Sequence, residues 1–128
     1  MKKLVLTALA IALSFGTITA ASTSYEALIK TNLEYSKIST FCKLIRAGNY
    51  EAVKAMAENG TDINRKSTGL TPLMFAARHN KTDIVKLLIE KGAKLKVKSD
   101  RGYTALDYAK MSKANDAYVV LKEALNKK

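Results

Sequence analysis

Two side chains in the 128-residue chain have the types for nucleophilic or general-base chemistry. They are Cys42 and His79, its one thiol and its one imidazole. A Ser-His-Asp or Cys-His arrangement needs the imidazole as base, and needs a further group to orient it. Arg78 stands directly before His79, and an adjacent guanidinium disfavours the imidazolium that such a base must become. Cys42 lies among Phe41, Leu44 and Ile45, apolar neighbours that favour a buried, inert thiol. The 11 Asp and Glu are scattered singly, with no pair spaced for acid–base work. One Cys excludes a disulfide framework and a thiolate-rich zinc site, and one His excludes a site built on two imidazoles. There is no phosphate loop and no dinucleotide fingerprint. The chain is therefore expected to hold no catalytic, cofactor-binding or metal-binding residues and not to be an enzyme.

The remaining resource is charge. Lys and Arg number 22 against 11 acidic residues, a net +11 that bears on partners and solubility and not on fold. Part of this sits in a terminal address. Met1-Lys2-Lys3 is cationic, Leu4 to Phe15 is uncharged and mostly apolar, and Gly16 to Ser22 is small and polar. That order is a secretory signal peptide, and the apolar run is too short to span a bilayer core of about 20 residues. Residues 1–21 are expected to be removed after Ala21, leaving a strongly basic protein in a periplasm with no membrane insertion.

The elements that must position these charges repeat. Gly69-Leu70-Thr71-Pro72-Leu73 precedes Ala76-Ala77, and 33 residues on Gly102-Tyr103-Thr104-Ala105-Leu106 precedes Ala109. Ile84-Val85-Lys86-Leu87-Leu88-Ile89-Glu90-Lys91-Gly92-Ala93 has a match upstream in Ala52 to Thr61 and downstream in Ala117 to Glu123. Thr71-Pro72-Leu73, Ala76-Ala77, Ile84-Val85, Leu87-Leu88 and Gly92-Ala93 together resemble an ankyrin repeat. That unit has a period of 33 residues and pairs a β-turn with two helices. Met74 departs from the pattern, standing where the family usually has His. The copies are read as 36–66, 67–98 and 99–128. The resemblance implies an all-α repeat solenoid of about three ankyrin repeats, each a helix-turn-helix with a β-hairpin finger.

Local chemistry agrees. Thr71 before Pro72 is an N-cap followed by Pro at the first helical position. Asn80 to Lys91 reads as a second helix with Ile84, Val85, Leu87, Leu88 and Ile89 on one stripe, stopped at Gly92. Leu95 to Arg101 alternates as an extended finger would. Thr23-Ser24-Tyr25-Glu26 is a capping-box pattern. It is expected to open an N-terminal capping helix over 22–35, with Tyr25, Leu28, Ile29 and Leu33 packing on the first repeat.

The resemblance implies a binding surface on finger tips and the inner helix face. Carried over, it takes Ser67, Thr68, Leu70, Arg78 and His79 from the second repeat. From the third it takes Asp100, Arg101, Tyr103, Met111 and Ser112. Arg46 stands 32 residues before Arg78, at the same repeat position. Arg65, Lys66, Lys94, Lys96 and Lys98 add charge on the fingers. A basic groove with Tyr103 and Leu70 exposed is expected to bind an acidic protein surface, the chain acting as a monomer with no small-molecule substrate and no cofactor. The chain also resembles small periplasmic ankyrin-repeat proteins of gram-negative bacteria, some tied to oxidative-stress defence; an immunity-type inhibitor is a variant of that role. The alternative is a polyanion, nucleic acid or envelope polymer. Against it, Lys outnumbers Arg on the fingers and Tyr103 alone offers a stacking face.

Overall fold

A computed structural model of the chain describes residues 19–127. Among them are seven helices and no strand. Helix α1 runs Thr19–Lys37, α2 Thr40–Ala47, α3 Tyr50–Glu58, α4 Pro72–Arg78, α5 Thr82–Glu90, α6 Ala105–Met111 and α7 Asn115–Asn126. The described residues from Lys37 onward form one compact unit, and those up to Ser36 belong to another. The expected signal peptide falls almost wholly outside the described residues.

The repeat unit is a pair of antiparallel helices: α2 with α3, α4 with α5, α6 with α7. The inner helices α2, α4 and α6 pack in sequence on one another, and the outer helices α3, α5 and α7 do the same. Small residues permit the close approach of inner helices, since Ala76, Ala77 and Ala109 are fully buried. Ile84, Val85, Leu87 and Leu88 make α5 the most buried outer helix. A stripe that wide belongs to a helix with a neighbour on both sides. The outer helices beside it bury less: Val53 in α3, Ala117 and Leu121 in α7.

Each inner helix begins on a hydroxyl. Ser39, Thr71 and Thr104 are the N-caps of α2, α4 and α6, and each side chain accepts the backbone N–H three residues on. At α6 Asp107 completes a capping box, its Oδ2 accepting from Thr104 N at 2.9 Å. The two hydrogen bonds from Thr104 hold the Asp107 carboxyl below its usual range, the backbone one contributing more. At α4 the reciprocal acceptor is the thioether of Met74, whose Sδ takes Thr71 N at 3.3 Å. Met74 is almost wholly buried, so the departure from the family pattern keeps the cap and adds core volume.

Three expectations are corrected. Asn80 does not start α5. It sits at φ +52° in the turn between α4 and α5, as Gly48 (φ +78°) and Lys113 (φ +55°) do in the flanking repeats. Its side chain reaches the next repeat, where Oδ1 accepts Ala117 N at 3.1 Å. Ala114 caps α7 with no side-chain acceptor, and the amide of Asn80 supplies one to the third helical residue. Asn80→Ala therefore loses a cap and leaves a side chain other than Asn or Gly in the left-handed region, at a cost of about 1–2 kcal/mol. Asn80→Gly relieves the backbone and should recover part of the loss. Urea midpoints of the two variants measure both contributions, and equal midpoints with wild type would remove the bridging role.

The fingers are the second correction. They form no β-hairpin among the described residues; the first closes on a single bridge between Ser67 and Leu70. Buried serine hydroxyls add to this closure. Ser67 Oγ accepts Ser39 N at 2.8 Å, and Ser99 Oγ accepts Arg101 N and Tyr103 N. The third concerns α1. It is already helical at Thr19, so the helix does not start at Thr23. Tyr25, Leu28, Ile29 and Leu33 are each more than half exposed, where a buried stripe was expected.

Candidate functional site

The repeat turns one residue position into a row. Arg46 near the end of α2, Arg78 at the end of α4 and Met111 at the end of α6 occupy that position in three consecutive inner helices. Arg46 and Arg78 are exposed, and Met111 is 53% exposed. Cations near helix C-termini oppose the negative end of the helix dipole, which favours this placement.

His79 caps α4 and is half-buried beside them. Its pKa is lowered, first by burial and then by the positive charges of Arg46, Arg78 and Lys81. Burial and the three cations all disfavour the charged imidazolium. No carboxylate figures among the groups that act on it. Cys42 is completely buried in α2, and burial raises its thiol pKa, with a smaller opposing effect from the Ser39 hydroxyl. Neither group is placed as a nucleophile or a base. Among the described residues no three His, Cys, Asp or Glu side chains are grouped to hold a metal ion.

The finger of the third repeat carries the aromatic. Tyr103 is 42% exposed and meets Tyr108 edge-on, centroids 5.9 Å apart at 78°. Tyr103 is pinned through its backbone: its N–H donates to Ser99 Oγ at 3.2 Å and its carbonyl accepts Ser99 N at 2.8 Å. The Tyr108 hydroxyl also donates to Ser99 Oγ at 2.9 Å. One buried serine hydroxyl therefore holds the finger that presents Tyr103. A ring held this way loses little entropy on binding.

The two fingers dock on each other. Asp100 N donates to Gly69 O at 3.0 Å, Lys94 N to Asn64 Oδ1 at 2.9 Å, and Lys66 Nζ lies 3.3 Å from Asp100 Oδ1.

The sequence-derived candidates divide accordingly. Arg46, Arg78 and His79 come together, and Met111 continues their row. Tyr103, Lys98 and Arg101 stand exposed on the finger after them. Leu70 is half-buried and packs on the core, so it is not the exposed apolar contact expected of it. Its backbone closes the finger bridge with Ser67, and that fold-back turns the side chain inward. Lys66 is already paired with Asp100. Arg65 and Lys66 line a groove of about 510 Å³ with Ser39, Phe41 and Met56, which none of Arg46, Arg78 and His79 lines. Lys81 was missed. The helix pattern extended α5 back to Asn80 and hid the turn that leaves Lys81 ahead of the helix, where its charge acts on His79.

The model of a family described as ankyrin repeats, in three copies, matches residues 41–127. The chain is similar to M-phase phosphoprotein 8 of Rattus norvegicus, 38% identical over 68 residues, 51% of this chain and 8% of that protein. It is similar to Dauer abnormal formation protein 25 of Caenorhabditis elegans, 33% identical over 90 residues, 65% of this chain and 23% of that protein. A third relative is Ankyrin repeat and SAM domain-containing protein 6 of Rattus norvegicus, 32% identical over 75 residues, 57% of this chain and 8% of that protein. The chain spans less than a quarter of the length of each of these relatives.

Proposed function

The chain belongs to the ankyrin-repeat family, and from that premise we propose that it is an exported, non-catalytic module that binds an acidic protein surface with the basic face of its inner helices. Ankyrin repeats are in general protein–protein interaction modules. The observation that carries the finer reading is the pair of exposed arginines, Arg46 and Arg78, at equivalent ends of adjacent inner helices, whose charges act with that of Lys81 on His79. Like charges do not gather on a stack without electrostatic cost, and an acidic partner turns that cost into attraction. Tyr103 and Arg78 are of the residue types that dominate interface energies.

The test begins with capture of the partner from the periplasm by the mature protein. Arg78→Ala or Tyr103→Ala should then weaken binding by about 2 kcal/mol or more, the scale of hot-spot truncations. Both residues are exposed, so neither change should lower the melting temperature much. Lys127→Ala, exposed beyond α7, should leave affinity unchanged. Wild-type affinity in both face variants, with binding abolished by Lys86→Glu on α5, would place the partner elsewhere.

A polyanion is the other ligand class, favoured by the exposed row of Lys94, Lys96 and Lys98. Its signature is an affinity that falls linearly and steeply on a log–log plot against salt. A shallow salt response in the captured complex argues for a protein partner. Export has its own check. The mature chain in a periplasmic fraction should have an intact mass starting near Ser22, and retention of Met1 or Lys2 on a cytoplasmic protein refutes it.

A further inference from the structure

The row across the inner helices is chemically graded. Arg46 and Arg78 hold one end, where Lys81 also bears on His79. Met111 holds the other, and Tyr103 stands exposed on the finger that leads into the same helix, α6. Charge gives way to apolar surface along one line of equivalent positions.

Spacing along that line follows from packing. Inner helices that pack on each other lie about 8–10 Å apart, so equivalent side chains recur at that pitch. A bound chain crossing the helices must present side chains at the same interval. A β-strand repeats on one face every two residues, about 6.6–6.8 Å, which drifts out of step. A polyproline II segment has three residues per turn and rises about 3.1 Å per residue, so one face repeats about every 9 Å. That conformation meets each inner helix with every third side chain.

Resting on the basic-face reading above, we propose that this row binds an extended acidic segment of a protein partner. Two carboxylates three residues apart sit on Arg46 and Arg78, and an aliphatic or aromatic side chain three residues further sits on Met111. A guanidinium offers a planar fork of donors that matches a carboxylate. The thioether of Met111 is polarizable and adapts to aliphatic or aromatic shapes. A uniform polyanion satisfies the first two positions and leaves the third against apolar surface.

The test displays random twelve-residue peptides against the folded protein at physiological salt. The expected enrichment is acid-x-x-acid-x-x-apolar. A synthetic copy of the leading peptide should bind Arg78→Ala at least about tenfold more weakly than wild type. Met111→Gln should weaken it severalfold, and the same change should cost nothing once the peptide's own apolar residue is Ser. That coupling is a readout a general loss of stability would not produce. Enriched peptides that carry acids but no apolar residue in that register, and that ignore Met111→Gln, overturn this proposal and leave the basic-face reading intact. Peptides indifferent to Arg78→Ala overturn both, and absence of any enrichment overturns the graded row.

Discussion

Leu88→Ala is expected to leave the protein largely unfolded at 37 °C. Leu88 is fully buried in α5, on the helix that packs against α4 within its repeat and against α3 and α7 on either side. Truncating a buried Leu loses its transfer free energy and leaves a cavity, together about 2–5 kcal/mol. Domains of this size are stable by only about 5–15 kcal/mol, and repeat stacks draw that from nearest-neighbour interfaces. Leu88 is on the helix that meets both neighbouring repeats, so the loss falls where it uncouples the outer two. The measurement is a urea denaturation midpoint, with Lys86→Ala as the exposed control on the same helix. A midpoint unchanged from wild type would mean that α5 does not hold the stack together.

Gly69→Ala should cost about 2–3 kcal/mol, and Gly102→Ala less. Both glycines sit in the left-handed region, at φ +82° and +86°, where a Cβ costs roughly 1–2 kcal/mol. They differ in surroundings. A Cβ on Gly69 would stand 2.7 Å from Asp100 Oδ2, while one on Gly102 meets nothing within 4 Å. Asp100 must then swing away, which strains its backbone hydrogen bond to Gly69 O. The lost ion pair to Lys66 adds little, because its side chains are 39% and 72% exposed. The difference between the two variants measures what finger-on-finger docking contributes. Equal midpoints would show that Asp100 moves without consequence and that the fingers are energetically independent.

The placement of Tyr103 gains from that docking. The finger that Gly69 seats is the one pinned by Ser99, and it carries Tyr103 beside the inner helices. Loss of the Gly69 contact should therefore weaken binding at Tyr103 more than at Arg46, which lies two repeats away from the disturbed finger.

The amino-acid sequence by itself determined the repeat, its period and its helices. Hydroxyl caps at Thr71 and Thr104, Pro72 at a first helical turn and the stripe from Ile84 to Leu88 are local signals, each readable within a few residues. Tertiary structure decided what crosses from one repeat to the next. Nothing near Asn80 shows that its amide caps α7, since the N–H it accepts belongs to Ala117, 37 residues on. Nothing near Met74 shows its sulfur replacing a carboxylate until burial and the 3.3 Å contact are known. Leu70 reads as a finger-tip residue and is turned onto the core by a backbone bridge. Tyr25, Leu28, Ile29 and Leu33 have the spacing of a buried stripe and face water, because periodicity specifies a face and never what covers it. The same holds for Arg46, Arg78 and Lys81. The equivalence of Arg46 and Arg78 is a matter of counting residues, but that Lys81 acts on His79 with them depends on how the chain turns and the helices pack.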